Sequence, residues 1–128
     1  ESRYLARFLD FYQDDIANRY QPDFVYEPGP KTLAVFLLRD MVPAGLVVAK
    51  THSDASFEIL LDYVIPQYRD FKLARWLYSA ESGIFEEAKC RCAWTRVSNE
   101  EQTEYFTKIG FKPDRTPDVP DRYAFILP

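Results

Sequence analysis

The stretch Glu58–Tyr78, EILLDYVIPQYRDFKLARWLY, decides how this chain reads. Residues 58–65 form a β-rich apolar run, Pro66 interrupts it, and from Leu73 the apolar spacing becomes that of a helix. This predicts a strand, a tight loop and a helix. A loop that opens a helix presents backbone N–H groups without partners and the positive end of the helix dipole, a combination suited to an anion such as a pyrophosphate. Arg69, Lys72 and Arg75 add positive charge at the same point.

Downstream, NEEQTEYFTKIGF from Asn99 to Phe111 places an Asn before a short helical pattern that ends in a Gly-Phe pair. Ser98 or Asn99 can cap that helix, Glu100 and Glu101 suit its first turn, and Gly110 suits its C-terminal stop.

The first stretch resembles the acyl-CoA-binding motif of the GNAT superfamily of N-acetyltransferases, whose loop reads Q/R-x-x-G-x-G/A between the fourth strand and a long helix. Arg69 fits the first position and Ala74 the last, while Lys72 stands where the family has its first glycine. The second stretch is similar to the family's other signature, an Asn before a helix ending in aromatic-x-K-x-G-F. The two occur in the family's order and spacing and cover roughly half of the chain.

Around these motifs the chain reads as one domain, residues 1–128, since that length buries a core without staples. Aromatic residues make up 16% of the sequence, which argues for a packed globular protein over a disordered one. The net charge of −4 speaks against a general nucleic-acid binder, and no apolar run is long enough to span a membrane. Cys90 and Cys92 alternate on an expected strand at 90–97, without a second Cys pair or a His cluster to complete a zinc site. Free thiols, no metal and a reducing cytoplasm are the expectation. The chain begins at Glu1 without a Met, so it is also read as a piece of a longer protein, the cytoplasmic part of it, with no membrane contact by this segment.

Between 3 and 20 the apolar residues fall at helical steps with Arg7, Asp10, Gln13 and Asp14 on the wet face, and Pro22 ends the helix. Residues 32–38 and 45–50 read as a hairpin joined by Arg39–Pro43, and 57–65 as a third strand on which Glu58 and Asp62 share a face by period two. His52, Ser53 and Asp54 are neighbours in one loop, which suits a turn better than a catalytic triad. A single helix from Leu73 to Ala88, tolerating Gly83, precedes the strand at 90–97, and a strand at 122–127 closes the chain. The fold class is α/β (α+β). The order matches the GNAT-like one, a mixed, mostly antiparallel sheet with helices on both faces.

The resemblance implies a function: transfer of an acetyl group from acetyl-CoA, the co-substrate, to a primary amine. It implies a CoA pyrophosphate cradled by Arg69, Asp70, Phe71, Lys72, Leu73, Ala74 and Arg75. It implies a pantetheine arm along the strand at Asp62, Tyr63 and Val64, through the main-chain amides of Asp62 and Val64, and a contact at Asn99. The family's proton-donating tyrosine falls on Phe106, which cannot donate; Tyr105 is its neighbour, about 100° away on an ideal helix. Glu58 stands at the spacing before Arg69 of the general-base glutamate in the histone-acetyltransferase branch. The partners implied are a CoA thioester and an unknown amine acceptor, with a homodimer compatible. Lys72 and Phe106 favour the alternative, a non-catalytic acyl-CoA-binding or regulatory domain.

Overall fold

The computed structural model describes residues 2–19, 24–69 and 72–127. Its frame is a six-stranded sheet in the order β1-β2-β3-β4-β6-β5. The strands are β1 (Thr32–Arg39), β2 (Val42–Thr51), β3 (Ser56–Val64), β4 (Cys92–Arg96), β5 (Lys112–Pro113) and β6 (Arg122–Ile126). All neighbours pair antiparallel except β3 and β4. Helices α1 (Ser2–Phe11) and α2 (Gln13–Arg19) precede the sheet, α3 (Lys72–Leu77) and α4 (Ile84–Ala88) lie between β3 and β4, and α5 (Glu100–Ile109) follows β4. This is the mixed, mostly antiparallel architecture that the sequence predicts.

The amphipathic N-terminal segment buries Leu5, Phe8 and Ile16 and leaves Arg7, Asp10, Gln13 and Asp14 in solvent. It divides at Tyr12 into α1 and α2, although the backbone bonds from Tyr12 N to Phe8 O (3.1 Å) and from Ile16 N to Tyr12 O (2.9 Å) carry the ladder across. Pro22, the expected terminator, lies outside the described residues. The β1–β2 hairpin is tighter than the expected five-residue turn. Asp40 and Met41 both take positive φ, 54° and 63°, so a two-residue turn suffices and β2 starts at Val42.

The expected helix from 73 to 88 is interrupted. Gly83 adopts φ 77°, a left-handed conformation that no helix interior accepts, and caps the 3₁₀ turn Ala80–Ser82 before α4 begins. Of the apolar residues that helical spacing puts on one buried stripe, Leu73, Leu77 and Ile84 are buried and Ala88 is half-buried, whereas Trp76 and Ala80 are exposed. Further on, β4 begins at Cys92, so Cys90 lies outside the strand. Both cysteines are free thiols, and burial pushes each of them up from the usual thiol range.

The core sits on both faces of β2 and β3. Leu46, Val47, Val48, Phe57, Leu61, Tyr63, Leu77 and Tyr78 are almost inaccessible, and each such side chain contributes about 1.5–3 kcal/mol by leaving water.

Candidate functional site

Two irregularities of β3 build the site. The first is the end of its pairing with β4. These parallel strands are in register only at Ser56–Cys92, Phe57–Ala93 and Glu58–Trp94. Beyond that point they part. All of 59–64 but Leu60 stay paired to β2 on one side, while among the described residues no strand lies beside their other edge. The hydroxyl of Thr95 donates to the Ile59 carbonyl at 3.1 Å just above the apex, a side chain bridging where the ladder has stopped.

The second irregularity is a bulge. Ala49 of β2 pairs with Ile59 and Val48 pairs with Leu61, so Leu60 has no partner and the alternation of β3 reverses there. Glu58, Leu61 and Tyr63 then share one face, and Phe57, Ile59, Asp62 and Val64 the other. The contacts agree: Tyr63 packs on Phe8 (6.1 Å) and Tyr12 (5.4 Å), whereas Phe57 packs on Phe85 of α4 (5.2 Å). Glu58 and Asp62 therefore do not share a face. Strict period two fails because one extra residue shifts every side chain beyond it.

Between the parted strands opens a cleft of about 280 Å³, lined from β3 by residues 59–62 and Val64, from β4 by Thr95, and from α5 by Gln102, Tyr105 and Phe106. Tyr68 and Arg69 line it ahead of α3, with Leu73 and Ala74 on that helix. Its walls are mostly apolar, and Asp62 puts a carboxyl into them. The hydroxyl of Tyr78, directly after α3, donates to Asp62 Oδ2 at 2.8 Å, and that of Tyr105 donates to Oδ1 at 3.1 Å. Asp62 is 5% exposed; burial raises its carboxyl to about 6, against the two hydrogen bonds, which lower it. Burial likewise pushes the Tyr78 hydroxyl well above its usual range, with the Asp62 charge adding to it.

Of the sequence-predicted set, Asp62, Val64, Arg69, Leu73, Ala74 and Tyr105 meet at this cleft. Arg69 also reaches away from it: its Nε donates to the Val64 carbonyl at 2.8 Å and its guanidinium pairs with Asp15 of α2. The Tyr63 side chain turns from the cleft toward α1 and α2, where its hydroxyl donates to Asp15 at 2.5 Å. Arg75 is exposed outside the lining. Asn99 caps α5, its side chain accepting from Gln102 N at 2.8 Å, while Gln102 Oε1 accepts from Ser98 N at 2.8 Å. Asp70 and Phe71 lie outside the described residues, as does the side chain of Lys72.

Glu58 sits at the apex, beside the cleft lining, with His52 Nε2 3.0 Å from its Oε1 and the His52 ring 5.5 Å from that of Trp94. His52 and Ser53–Asp54 form a turn: Asp54 bonds Ser56, and only His52 turns to Glu58. Phe106 is buried against Phe111 (4.9 Å), while the adjacent Tyr105 carries the hydroxyl into the cleft. Tyr78 is the site residue that the sequence pattern misses, although a tyrosine on a buried helical stripe must find a partner for its hydroxyl and Asp62 is one of two acids on an otherwise apolar strand.

Among the described residues no cluster of His, Cys, Asp and Glu could hold a metal ion, and no helix is long and apolar enough to cross a membrane.

No family model matches the sequence, and no curated protein matches it at a significant level. Solved structures do match the fold. The PaiA N-acetyltransferase of Thermoplasma acidophilum, solved in complex with coenzyme A, aligns over 99% of this chain and 80% of its own at TM-score 0.59 and 17% identity. Tetrahymena GCN5 aligns over 90% of this chain and 86% of its own at TM-score 0.63 and 12% identity. An acetyltransferase of Thermus thermophilus aligns over 77% and 66% at TM-score 0.58 and 17% identity. With its parted β3 and β4, its bulge at Leu60 and this set of neighbours, the chain has the fold of the GNAT superfamily of N-acetyltransferases.

Proposed function

We propose that the chain is an acetyl-CoA-dependent N-acetyltransferase that acylates a primary amine. The observation that carries this is the open edge of β3 at 59–64, facing a mostly apolar cleft of about 280 Å³ that leads to the loop before α3. An unpaired strand edge offers backbone groups to an extended amide-bearing chain, as in strand addition, and a pantetheine arm is such a chain. The amides of Asp62 and Val64 would bond the arm and the thioester oxygen. The loop at 69–75, with its helix start, would take the pyrophosphate, and Asp70, Phe71, Lys72 and Arg75 belong to this proposal.

In the reaction, the acceptor nitrogen attacks the thioester carbonyl, the C–N bond forms, the C–S bond breaks, and the electron pair leaves on sulfur. Glu58 takes the proton that the nitrogen sheds, and Tyr105, whose hydroxyl would turn from Asp62 to the leaving group, supplies one to the sulfur. The PaiA structure was solved with coenzyme A, which supports the ligand assignment. The second reading is a domain that binds a CoA thioester without turning it over, favoured by Phe106 at the family's tyrosine position.

Calorimetry and thermal shift with CoA and acetyl-CoA test the binding. Ligand at about 100 times its Kd should stabilise the fold by about 2.7 kcal/mol, a Tm rise on the order of 10 °C. No heat and no shift at millimolar ligand would refute both readings. Acetylation of an amine panel separates them: binding without product leaves the second.

A further inference from the structure

The mechanism proposed above makes no use of the Asp62 side chain, although it is the acidic group built deepest into the cleft. It lines the cavity, is 5% exposed, and is held from two sides by the hydroxyls of Tyr78 and Tyr105. The bulge at Leu60 is what turns it toward the helices that form the cleft's other wall. Both tyrosines donate, so the carboxyl receives two hydrogen bonds, and among the described residues no cation is paired with it.

The cleft also has a direction. Its closed apex is at Glu58–Trp94, and its mouth is where β3 gives way to Arg69 and the start of α3. A ligand whose phosphates lie at that mouth must point its other end up β3 toward Asp62 and the apex. Resting on the reading of the cleft as a CoA-thioester site, we infer that Asp62 is the specificity-determining residue for the acyl group: it admits neutral short acyl chains and rejects acyl chains that carry a carboxylate.

The physical basis is like-charge repulsion in a poorly solvated wall, where two anions cannot be screened by water as they would be on the surface. Among the described residues, the other charged groups that line the cleft are Arg69, ahead of α3, and Glu101, Glu104 and Lys108 on α5. Tyr78 and Tyr105 face the carboxyl directly. With its carboxyl raised to about 6, Asp62 is charged at pH 8 and largely neutral at pH 5, so discrimination should fade as pH falls.

Butyryl-CoA and succinyl-CoA serve as probes, because both acyl groups have four carbons and only the second ends in a carboxylate. Calorimetry on the intact chain at pH 8 should give at least about tenfold tighter binding of butyryl-CoA. That ratio should narrow at pH 5, where the succinyl group keeps its charge, and in Asp62→Asn at pH 8, which keeps the shape and leaves Glu101 and Glu104 in place. CoA itself is the control. If neither CoA nor either thioester binds, the cofactor reading falls and takes this inference with it. If CoA binds and the butyryl-to-succinyl ratio is the same in wild type at both pH values, the inference alone falls, whether or not Asp62→Asn folds.

Discussion

Asp15 on α2 holds Arg69 by its guanidinium, 54 residues further along the chain, and in the same place accepts the hydroxyl of Tyr63 at 2.5 Å. One carboxylate thus ties the N-terminal helices to β3 and to the loop that opens α3. Both partners are about three-quarters buried, at 21% and 26% side-chain exposure, so the pair is better shielded than a surface ion pair.

Removing Asp15 should therefore cost more than a surface charge change. Asp15→Ala leaves Tyr63 and Arg69 without this partner, and the expected loss is about 1–3 kcal/mol in urea unfolding. Arg69→Ala should cost a similar amount and in addition weaken CoA binding about tenfold or more. Equal CoA affinity in the two variants would mean that Arg69 acts through α2 and not on the ligand.

Asp62 gives the fold a pH dependence of definite sign. Its carboxyl is raised from 3.8 to about 6 in the folded chain. The folded state therefore holds this proton more tightly than the unfolded state. The contribution is fully present below about 3.8 and is lost as pH rises through about 6. On the order of 2–3 kcal/mol is at stake. Asp62→Asn should flatten this part of the stability profile and leave the variant at least as stable as wild type at pH 8. A wild-type-like decline between pH 4 and 6 in Asp62→Asn would show that another group carries it.

Catalysis, on the reading above, depends on Glu58. With an acceptor found in the amine panel, Glu58→Gln should lower turnover about 10²-fold to 10⁴-fold, and the deficit should shrink at high pH, where the amine deprotonates unaided. Phe106→Tyr should raise turnover only if a proton donor at that helix position limits the rate. Phe106 is buried against Phe111, so the added hydroxyl should also cost stability unless it reaches the cleft. Unchanged turnover in Glu58→Gln would remove this residue from the chemistry.

The two left-handed glycines should differ in cost. At Gly83, φ 77°, an added Cβ meets nothing within 4 Å, so Gly83→Ala should lose only the backbone term of about 1–2 kcal/mol, and Gly83→Asn less. At Gly110, φ 114°, the Cβ would come within 3.0 Å of the Phe125 ring, and Gly110→Ala should be the more destabilising. Denaturant midpoints of the three variants rank these effects, and a reversed order would contradict the assigned geometry.

What the sequence by itself determined was local. The strand before Pro66, the amphipathic character of the N-terminal segment, the hairpin, the Asn99 cap and the Gly110 stop follow from spacing and from the conformational needs of single residues, whereas the division of the first segment at Tyr12 and the two-residue turn at Asp40 and Met41 do not. Position relative to other strands was not local. The bulge at Leu60 depends on how β3 meets β2, so period two placed Glu58 and Asp62 together where the sheet separates them. The helix ends at Leu77, with Ser79 extended and Gly83 left-handed before α4, and a helical stripe alone reads through both. Of the residues that line the cleft, Asp62, Val64, Arg69, Leu73, Ala74 and Tyr105 were named from the motifs. The cluster of Asp62, Tyr78 and Tyr105 was not legible, because its members come from β3, the turn after α3 and α5, and hydrogen bonds over 16 and 43 residues exist only after the sheet and helices have packed.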